Sequence, residues 1–543
     1  MQSIYDIAEI CARKGVKQAV LSPGSRCAPL SIAFCKHTAI QEWTISDERS
    51  AAFIALGMIQ ESSAPVVLVC TSGTAVLNYA PAIAEAFYQK KPLIVITADR
   101  PPEWVDQMDG QTIRQNNVHQ NHTLASFNLP SDHDHPESKW FIERSVNEAL
   151  NVAIHQKGPV HINVPLREPF YPDGKVSFSN DVKIIDYYAT KVSLESENIV
   201  ELQNKIDALS RIVLVPGQSD AVDVDFDTLP IPVLADAISN CKGNCVVYNH
   251  DDFITSLAQE YQPELVITYG NSIISKSLKL YLRNNKVEHW HISNSEIVAA
   301  DVYQSLTKII PCTISYFIET FSFNNIQLYK DYLIDVSLNN VVKKEEFLAE
   351  LPFCEFKAYQ SIFKQLPDNS VLHLANSMAV RYFNYFPCSK LKELKVLSNR
   401  GTSGIDGSTS TAVGYSLLSE KLNILISGDV AFFYDRNAFW NNYLPPNFRV
   451  VLLNNKGGGI FRMIPGPVKQ DELEDYFVTK QNSSAIHLAQ EFGIEYFKCE
   501  NEDELSDCLN LFFEPSSKPK LIEIFTDGNI NTESFKKYKS YGI

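Results

Sequence analysis

The sequence has no apolar run long enough to span a bilayer, and residues 1–16 lack an apolar stretch preceded by basic residues. We therefore expect neither a signal peptide nor insertion into a membrane. Lysine and arginine (48) are outnumbered by aspartate and glutamate (64), which gives a formal net charge of −16. This excess of negative charge argues against a nucleic-acid-binding surface, but not against a local basic pocket.

The 11 cysteines form no framework of closely spaced pairs. Their odd number and scattered positions favour free thiols in a reducing compartment, so we expect a cytoplasmic protein. No dinucleotide-binding GxGxxG motif follows a predicted strand, and there is no short-period repeat or low-complexity tract. The composition, with 45% hydrophobic and 21% charged residues, is that of an ordinary globular protein, and 543 residues are more than one hydrophobic core usually holds.

Short apolar runs alternate with helical patterns along the chain, which predicts α/β domains with doubly wound parallel sheets. The pattern divides into three blocks. We predict an N-terminal domain over residues 1–175, a central α/β domain over 190–325 and a C-terminal domain over 350–543. The polar residues of 172–195 are interpreted as a linker, and the segment that starts at Asn324 is interpreted as a connector.

Two apolar runs in the third block, Asn423–Ser427 and Arg449–Leu453, end in polar residues, Gly-Asp at 428–429 and Asn-Asn at 454–455. The segment between them is long enough for a crossover helix, so the two strands should be parallel and should end at one sheet edge. A carboxylate, an amide oxygen and the carbonyls of Gly457–Gly459 are oxygen donors of the kind that bind Mg²⁺. This stretch predicts a metal-diphosphate site, with plain turn residues as the alternative.

Glu48 lies after a predicted strand, Glu42–Ile45, and before a predicted helix of small residues, Ser50–Ile59. A carboxyl group that is partly removed from water has a raised pKa, so it can hold or donate a proton at neutral pH. The alternative is that Asp47 or Glu48 only caps the helix, which contributes about 1 kcal/mol. The residues alone leave both interpretations open.

Arginines follow several predicted strand-to-loop transitions although the chain as a whole is acidic. Arginine binds a carboxylate through two parallel hydrogen bonds, so arginines that converge at sheet edges predict a substrate with more than one carboxylate. The alternative is a set of unrelated surface ion pairs, each of little energetic value. The residues concerned are Arg26, Arg100, Arg381 and Arg400.

Several stretches of the chain resemble the thiamine diphosphate-dependent enzymes. Within that superfamily they resemble the family of synthases that make 2-succinyl-5-enolpyruvyl-6-hydroxy-3-cyclohexene-1-carboxylate in menaquinone biosynthesis. The stretches are SPGSRCAPLSIA, SDERSAAFIALG, TSGTAVLNYAPAIAEA, ITADRPPE, ANSMAVR, SNRGTSGIDGSTSTAVG and LLNNKGGGIF. The resemblance implies three doubly wound parallel-sheet domains, of which the N-terminal one binds the pyrimidine ring and the C-terminal one the diphosphate.

By this resemblance the cofactor is thiamine diphosphate, bound with Mg²⁺ or alternatively Mn²⁺. Asp429, Asn455 and the Gly457 carbonyl would hold the metal, and Glu48 would be the catalytic residue that hydrogen-bonds N1′ of the aminopyrimidine ring. Because Glu48 and Asp429 lie on different domains and the family forms its sites between subunits, at least a homodimer is implied, with a homotetramer as the other possibility. The remaining cofactor-binding residues would be Gly428, Ile405 under the two rings, and Ile460 and Phe461 along the thiazolium.

The resemblance implies an enzyme that decarboxylates 2-oxoglutarate on thiamine diphosphate and adds the succinyl carbanion to isochorismate by 1,4-addition. Both substrates are dicarboxylates. Ser377 and Arg381 would contact the carboxylate derived from 2-oxoglutarate, with Arg400 nearby. The residues that would receive isochorismate are Ser25, Arg26, Arg100, Gln111 and Lys276. The chain departs from the family pattern at Ser277, where some relatives have a basic residue, and at Val430, where a small residue is common.

Two alternatives remain. One is another thiamine diphosphate-dependent 2-oxo acid decarboxylase or an acetolactate-type synthase, whose monocarboxylate or apolar substrates would need fewer cations. The other is an inactive α/β binding protein that retains the fold. Such a protein would have no need to keep Glu48, Asp429 and Asn455 together.

Overall fold

The computed structural model describes residues 1–172, 174–190, 193–293, 299–386 and 393–541. Its strands form three six-stranded sheets, and every pairing between described strands is parallel. Together with their helices, the sheets confirm the predicted α/β class. Within the described ranges, none of the helices combines the length and apolarity that a bilayer crossing requires.

The first sheet has the strand order β2-β1-β3-β4-β6-β5. Its strands are β1 (Gln18–Leu21), β2 (Gln41–Thr44), β3 (Val66–Cys70), β4 (Leu93–Asp99), β5 (Ala125–Asn128) and β6 (Val160–Pro165). Its helices are α1 (Gln2–Arg13), α2 (Ala28–Lys36), α3 (Glu48–Ser62), α4 (Thr74–Asn78), α5 (Ala80–Gln89) and α6 (Pro136–Gln156). One face packs against α3 and α5 and the other against α1, α2 and α6, which explains the nearly continuous apolar sequence of β3 and β4. The sequence did not predict β5, an edge strand whose side chains are only partly buried.

The second sheet has the order β12-β11-β10-β7-β8-β9. Its strands are β7 (Ile212–Pro216), β8 (Val233–Leu234), β9 (Val246–Val247), β10 (Leu265–Tyr269), β11 (Glu288–Ile292) and β12 (Leu306–Ile310). Helices α7 (Ser196–Asp207), α8 (Lys276–Asn284) and α9 (Ile314–Thr320) belong to the same block. The sequence missed β9 and β12, because the first has two residues and the second is half exposed at the sheet edge.

The connector predicted from Asn324 is wrong, because Gln327–Ala349 forms a helix of 23 residues, α10. Its buried positions include charged side chains, so no apolar stripe marks the helix in the sequence. Lys344 pairs with Asp252 at 2.5 Å, and the Lys330 ammonium donates to a backbone carbonyl. A helix with buried lysines that are paired in this way has a polar sequence, so the sequence alone suggests an exposed connector.

The third sheet has the order β14-β13-β15-β16-β18-β17. Its strands are β13 (Val371–Leu374), β14 (Lys395–Leu397), β15 (Asn423–Gly428), β16 (Phe448–Asn454), β17 (Glu495–Cys499) and β18 (Lys520–Phe525). Its helices are α11 (Glu355–Gln365), α12 (Met378–Asn384), α13 (Ser408–Ser416), α14 (Asp429–Tyr434), α15 (Ile486–Glu491), α16 (Glu502–Phe512) and α17 (Gly528–Ser540). β15 and β16 pair in parallel, with Gly428 opposite Leu453, so the predicted βαβ unit is confirmed.

Helices α3 and α13 hold the first and third sheets together through a very close crossing. A Cβ on Gly57 would lie 2.0 Å from the Thr411 carbonyl oxygen, and one on Gly414 would lie 2.0 Å from the Ile54 carbonyl oxygen. Glycine is therefore required at both positions. Each sheet falls inside one predicted domain range, and the limits 1–175, 190–325 and 350–543 remain a proposal.

Candidate active site

The predicted metal ligands lie where β15 and β16 end. Gly428 is the last residue of β15, Asp429 follows it and is 2% exposed, and Asn455 follows β16. The Gly457 backbone N–H donates to Asp429 Oδ2 at 2.8 Å, which fixes the glycine-rich loop against the carboxylate. The structure thus brings together residues that are separated in the sequence by a strand and a crossover.

The side chain of Asn455 leaves a buried oxygen without a partner. Its Oδ1 has no hydrogen bond in the part of the chain that the structure describes, while its Nδ2 donates to Glu355 Oε1 at 2.7 Å. A buried carbonyl oxygen without a hydrogen bond lowers the stability of the fold by about 1–3 kcal/mol, so its presence indicates that a ligand binds there. A neutral oxygen donor close to a buried carboxylate suits Mg²⁺, and these residues fit a divalent metal ion.

Hydrogen bonds keep the Asp429 carboxylate in place. Burial raises its pKa, whereas donors from Gln481, Val430 and Gly457 lower it. Gln481 Nε2 donates to Oδ2 and the Val430 N–H to Oδ1, at 2.8 and 2.7 Å. Gln481 was not predicted, because it lies 52 residues after Asp429 in a polar stretch without a motif.

A second carboxyl group, that of Glu355, is buried behind the metal edge. Burial raises its pKa to about 7, against the hydrogen bond from Asn455 that lowers it, and the charge of Asp429 raises it further. The sequence did not single out Glu355, which begins α11, 100 residues before Asn455.

Apolar side chains surround the same edge. Ile405 packs against small residues that include Ala431, which lies two positions after Asp429. Ile460 and Phe461 are partly buried on a short 3₁₀ helix that follows the glycine loop, and the Phe461 ring lies 5.8 Å from that of Phe477. The structure therefore places the apolar residues of the predicted cofactor site around the predicted metal ligands.

Arg381 and Arg400 lie near each other beyond β13, the strand next to β15, and β14, the edge strand on the other side of β13. Burial lowers the pKa of both guanidinium groups, and the charge of Arg381 lowers that of Arg400 further. Their Nη1 atoms donate to the Ser377 carbonyl at 2.5 Å and to Asn376 Oδ1 at 3.0 Å. Among the described residues neither guanidinium forms an ion pair with a carboxylate. Two partly buried cations without a carboxylate partner are typical of an anion-binding site.

Backbone strain marks the same place. Ser377, the N-cap of α12, has φ +69° and ψ −127°, which a residue with a side chain rarely adopts. Strained residues of this kind cluster at binding and active sites. The predicted substrate contacts Ser377, Arg381 and Arg400 are therefore brought together by the structure.

Glu48 is the first residue of α3, two positions earlier than the predicted start of that helix. The N-cap is Asp47, whose Oδ1 accepts from the backbone N–H groups of Arg49 and Ser50 at 2.9 and 3.2 Å. The capping interpretation thus holds for Asp47 and leaves the partly exposed carboxylate of Glu48 available for another role.

The residues predicted to receive isochorismate from the N-terminal block are Ser25, Arg26, Arg100 and Gln111, and all follow the carboxyl ends of β1 or β4. Arg26 is 7% exposed, donates to the Leu166 carbonyl at 2.6 Å and lies over the Phe170 ring. Arg100 pairs with Asp109 at 3.0 Å. Arg100 is therefore already paired with a carboxylate, whereas Arg26, like Arg381, donates to a backbone carbonyl.

Comparison with known proteins agrees with this geometry. Residues 4–123 match the family model for the thiamine pyrophosphate enzyme N-terminal TPP binding domain. A curated 2-succinyl-5-enolpyruvyl-6-hydroxy-3-cyclohexene-1-carboxylate synthase from Cytophaga hutchinsonii is 46% identical over 552 residues, covering 99% of this chain and 98% of that protein. Synthases of the same name from Christiangramia forsetii and Flavobacterium psychrophilum are each 40% identical, over 98% and 97% of this chain and 98% and 96% of theirs. The chain belongs to this synthase family.

Family membership confirms the resemblance. It does not by itself show which lysine of the central block belongs to the site. Burial and the charges of Arg400 and Arg381 lower the pKa of Lys279 on α8. The Lys279 ammonium donates to the Ile273 carbonyl at 2.6 Å, and the neighbouring Ser272 Oγ donates to the Arg400 carbonyl at 2.9 Å. A loop of the central block therefore holds Lys279 beside the two arginines.

Lys276, the lysine predicted from the family resemblance, is exposed at the first position of α8. Lys279 lies three positions further along the helix and is partly buried. It was missed because the motifs cover the central block thinly and several lysines lie close together there. Lys279 is recognised only by its position beside Arg381 and Arg400, where the central block packs on the third block. The spacing of residues within SKSLKL does not reveal this contact.

Proposed function

We propose that the protein makes 2-succinyl-5-enolpyruvyl-6-hydroxy-3-cyclohexene-1-carboxylate from 2-oxoglutarate and isochorismate, with thiamine diphosphate and Mg²⁺. The observation that carries the proposal is the group of Arg381, Arg400 and Lys279 beside the strand end that carries Asp429. A place for a multiply charged anion next to a metal-diphosphate edge suits a dicarboxylic 2-oxo acid. The names of the full-length relatives support the same product.

In our proposal, a substrate carboxylate supplies the negative charge that balances Arg381, Arg400 and Lys279. Asp236 raises the pKa of both Arg400 and Lys279. Its Oδ1 already accepts from Asn384 Nδ2 at 2.6 Å, and its Oδ2 accepts from the Ile274 backbone N–H. A substrate carboxylate would provide the missing partner at short range, because guanidinium and ammonium groups form their strongest hydrogen bonds with carboxylates.

The roles of the chain follow from these placements. Thiamine diphosphate, when bound, supplies the carbon nucleophile and the electron sink that decarboxylation of a 2-oxo acid needs. Asp429, Asn455 and the Gly457 carbonyl would hold Mg²⁺. Arg381 would bind and orient a substrate carboxylate, and Glu48 would hold a proton shared with N1′ of the aminopyrimidine ring. The apolar residues around the edge would exclude water.

We propose that the working unit is at least a homodimer. Glu48 and the N-terminal arginines lie at the edge of the first sheet, and the metal ligands lie at the edge of the third. Within one chain the two neighbours of Glu48 bond to the segment after Asp429, since Asp47 Oδ2 accepts from Asn437 Nδ2 at 2.6 Å and Arg49 Nη2 donates to the Tyr434 carbonyl at 2.9 Å. The proposal of a dimer therefore rests on the family resemblance described above. Two complete sites would form if each chain contributed its N-terminal group to the metal edge of the other.

A reducing compartment such as the cytoplasm also belongs to the proposal. All cysteines in the described ranges are free, and most of them are buried. Thiols in this state are typical of proteins that remain in a reducing environment.

Replacement of Arg381 by alanine is expected to raise the KM for 2-oxoglutarate roughly 10- to 100-fold, because a hydrogen bond to a charged group contributes about 1.5–3 kcal/mol. The KM for isochorismate should change little. Steady-state kinetics with each substrate varied in turn measures both values. Arg114→Ala, which removes an 81% exposed arginine paired with Asp106, is the control. A change confined to isochorismate would mean that the two substrate pockets are exchanged.

Lys279→Met is expected to raise the KM for a dicarboxylic substrate roughly tenfold, since it removes one of three neighbouring cations without much change in volume. Lys276→Met should have a smaller effect, because that side chain is exposed. The same kinetic assay on both variants measures the difference. A larger rise in KM for Lys276→Met than for Lys279→Met would show that Lys276, and not Lys279, contacts the substrate.

Product analysis separates the proposal from the acetolactate-type alternative. The purified protein with thiamine diphosphate and Mg²⁺ is incubated with 2-oxoglutarate and isochorismate, or with pyruvate alone. Mass spectrometry should find the succinyl adduct in the first mixture and no acetolactate in the second. Acetolactate in the second mixture, without the adduct in the first, would contradict the proposed substrates.

A further inference from the structure

Glu355 is not among the residues proposed to bind the cofactor or a substrate, yet it touches one of the metal ligands. We propose that Glu355 is a positioning residue, which turns the Asn455 amide so that its oxygen faces the metal ion. This inference rests on the proposed function, because it concerns the metal site of that function. Glu355 is the first residue of α11 and belongs to neither of the two strand ends, Gly-Asp and Asn-Asn, that carry the proposed metal ligands.

The geometry leaves the Glu355 carboxyl little freedom. The residue is 3% exposed, and its Oε1 accepts from Asn455 Nδ2 at 2.7 Å. Its backbone N–H donates to Asn531 Oδ1 at 2.9 Å, which ties the start of α11 to α17. A Cβ on Gly459 would lie 2.9 Å from Asn455 Nδ2, so a side chain at that position would displace the amide from this orientation.

An asparagine amide needs such a partner because its two ends are almost equal in size. Only hydrogen bonding distinguishes the oxygen, which accepts, from the nitrogen, which donates. A carboxylate accepts only, and a protonated carboxyl group still keeps an acceptor oxygen, so Glu355 Oε1 attracts Nδ2 in either state. Asn455 Oδ1 is then turned the other way, where it is buried and has no partner among the described residues. The reversed amide would point two N–H groups at a cation.

The test measures the Mg²⁺ dependence of thiamine diphosphate binding by calorimetry, without any assay of turnover. Glu355→Leu removes the acceptor at similar volume and should weaken the apparent Mg²⁺ affinity roughly 10- to 100-fold, as is typical for groups that orient metal ligands. Glu355→Gln retains an acceptor oxygen and should recover most of the affinity. Lys357→Leu, in the same helical turn but facing Glu502, is the control and should bind like the wild type.

A double-mutant cycle separates orientation from simple support of the fold. The two oxygens of an aspartate are equivalent and need no orientation, so in an Asn455→Asp background Glu355→Leu should cause little further loss of Mg²⁺ affinity. Equal losses in both backgrounds would overturn the positioning role, as would wild-type affinity in the single Glu355→Leu variant. If the leucine variant does not unfold cooperatively, Glu355→Ala is used with the same two outcomes. If the wild type itself shows no Mg²⁺-dependent binding, the proposed function fails, and not only this inference.

Discussion

Glu48→Gln is expected to bind thiamine diphosphate almost as well as the wild type while turnover falls roughly 100- to 10,000-fold, the range typical of a lost general acid or base. Glutamine has nearly the same size and can still form a hydrogen bond, but it cannot hold the negative charge or the proton. Helix α3 should be unaffected, because its N-cap is Asp47. Calorimetry measures cofactor binding, and the exchange of the cofactor C2 proton followed by NMR measures the first chemical event.

The neighbouring variant Asp47→Asn is the matched control. It makes the same change from carboxylate to amide one residue earlier, and asparagine caps a helix about as well as aspartate. We expect Asp47→Asn to retain near wild-type turnover. Exchange of the C2 proton at the wild-type rate in Glu48→Gln would contradict the role of Glu48.

Asp429→Ala is expected to abolish Mg²⁺-dependent binding of thiamine diphosphate, with an apparent affinity lower by more than about 100-fold. The variant removes the only charged ligand of the proposed metal set. It also leaves the Gly457 N–H without its acceptor and Gln481 Nε2 with only the longer hydrogen bond to Asn454 Oδ1 at 3.4 Å. Without the metal, the diphosphate would lose the divalent cation that offsets its charge at this edge. Calorimetric titration of the cofactor at several Mg²⁺ concentrations measures the loss.

Asp435→Asn is the control for the loss of a buried carboxyl group. Asp435 follows the other end of α14, is fully buried and accepts from the Ser410 N–H and Oγ, both at 2.7 Å. This substitution should lower the thermal midpoint but leave the Mg²⁺ dependence intact. Unchanged cofactor affinity in Asp429→Ala would contradict the metal site.

The sequence was most informative where a local pattern determines the structure. β15 and β16 are short apolar runs that end in polar residues, so the parallel pair and the position of Asp429 at its edge could be predicted before the fold was seen. The Ser-to-Ile helix after Glu48 was also predicted, although its true first residue is Glu48 itself. The shift arises because Asp47 is the N-cap, so the helix begins at the next residue, Glu48.

Features that depend on distant contacts could not be predicted. Glu355 meets Asn455 across 100 residues and Gln481 meets Asp429 across 52, so neither pair has a sequence signature. Lys279 joins the arginines only because two blocks pack together. The helix α10 was missed for a related reason, since its buried Lys344 pairs with Asp252 and its buried Lys330 donates to a backbone carbonyl, both far away in the sequence.

The most direct test of the account is the release of CO₂ from 2-oxoglutarate by the purified protein with thiamine diphosphate and Mg²⁺. The account predicts release that depends on both the cofactor and the metal, and that rises when isochorismate is added, with one succinyl adduct formed for each CO₂. No release from 2-oxoglutarate under any of these conditions, or release that isochorismate does not affect, would contradict it.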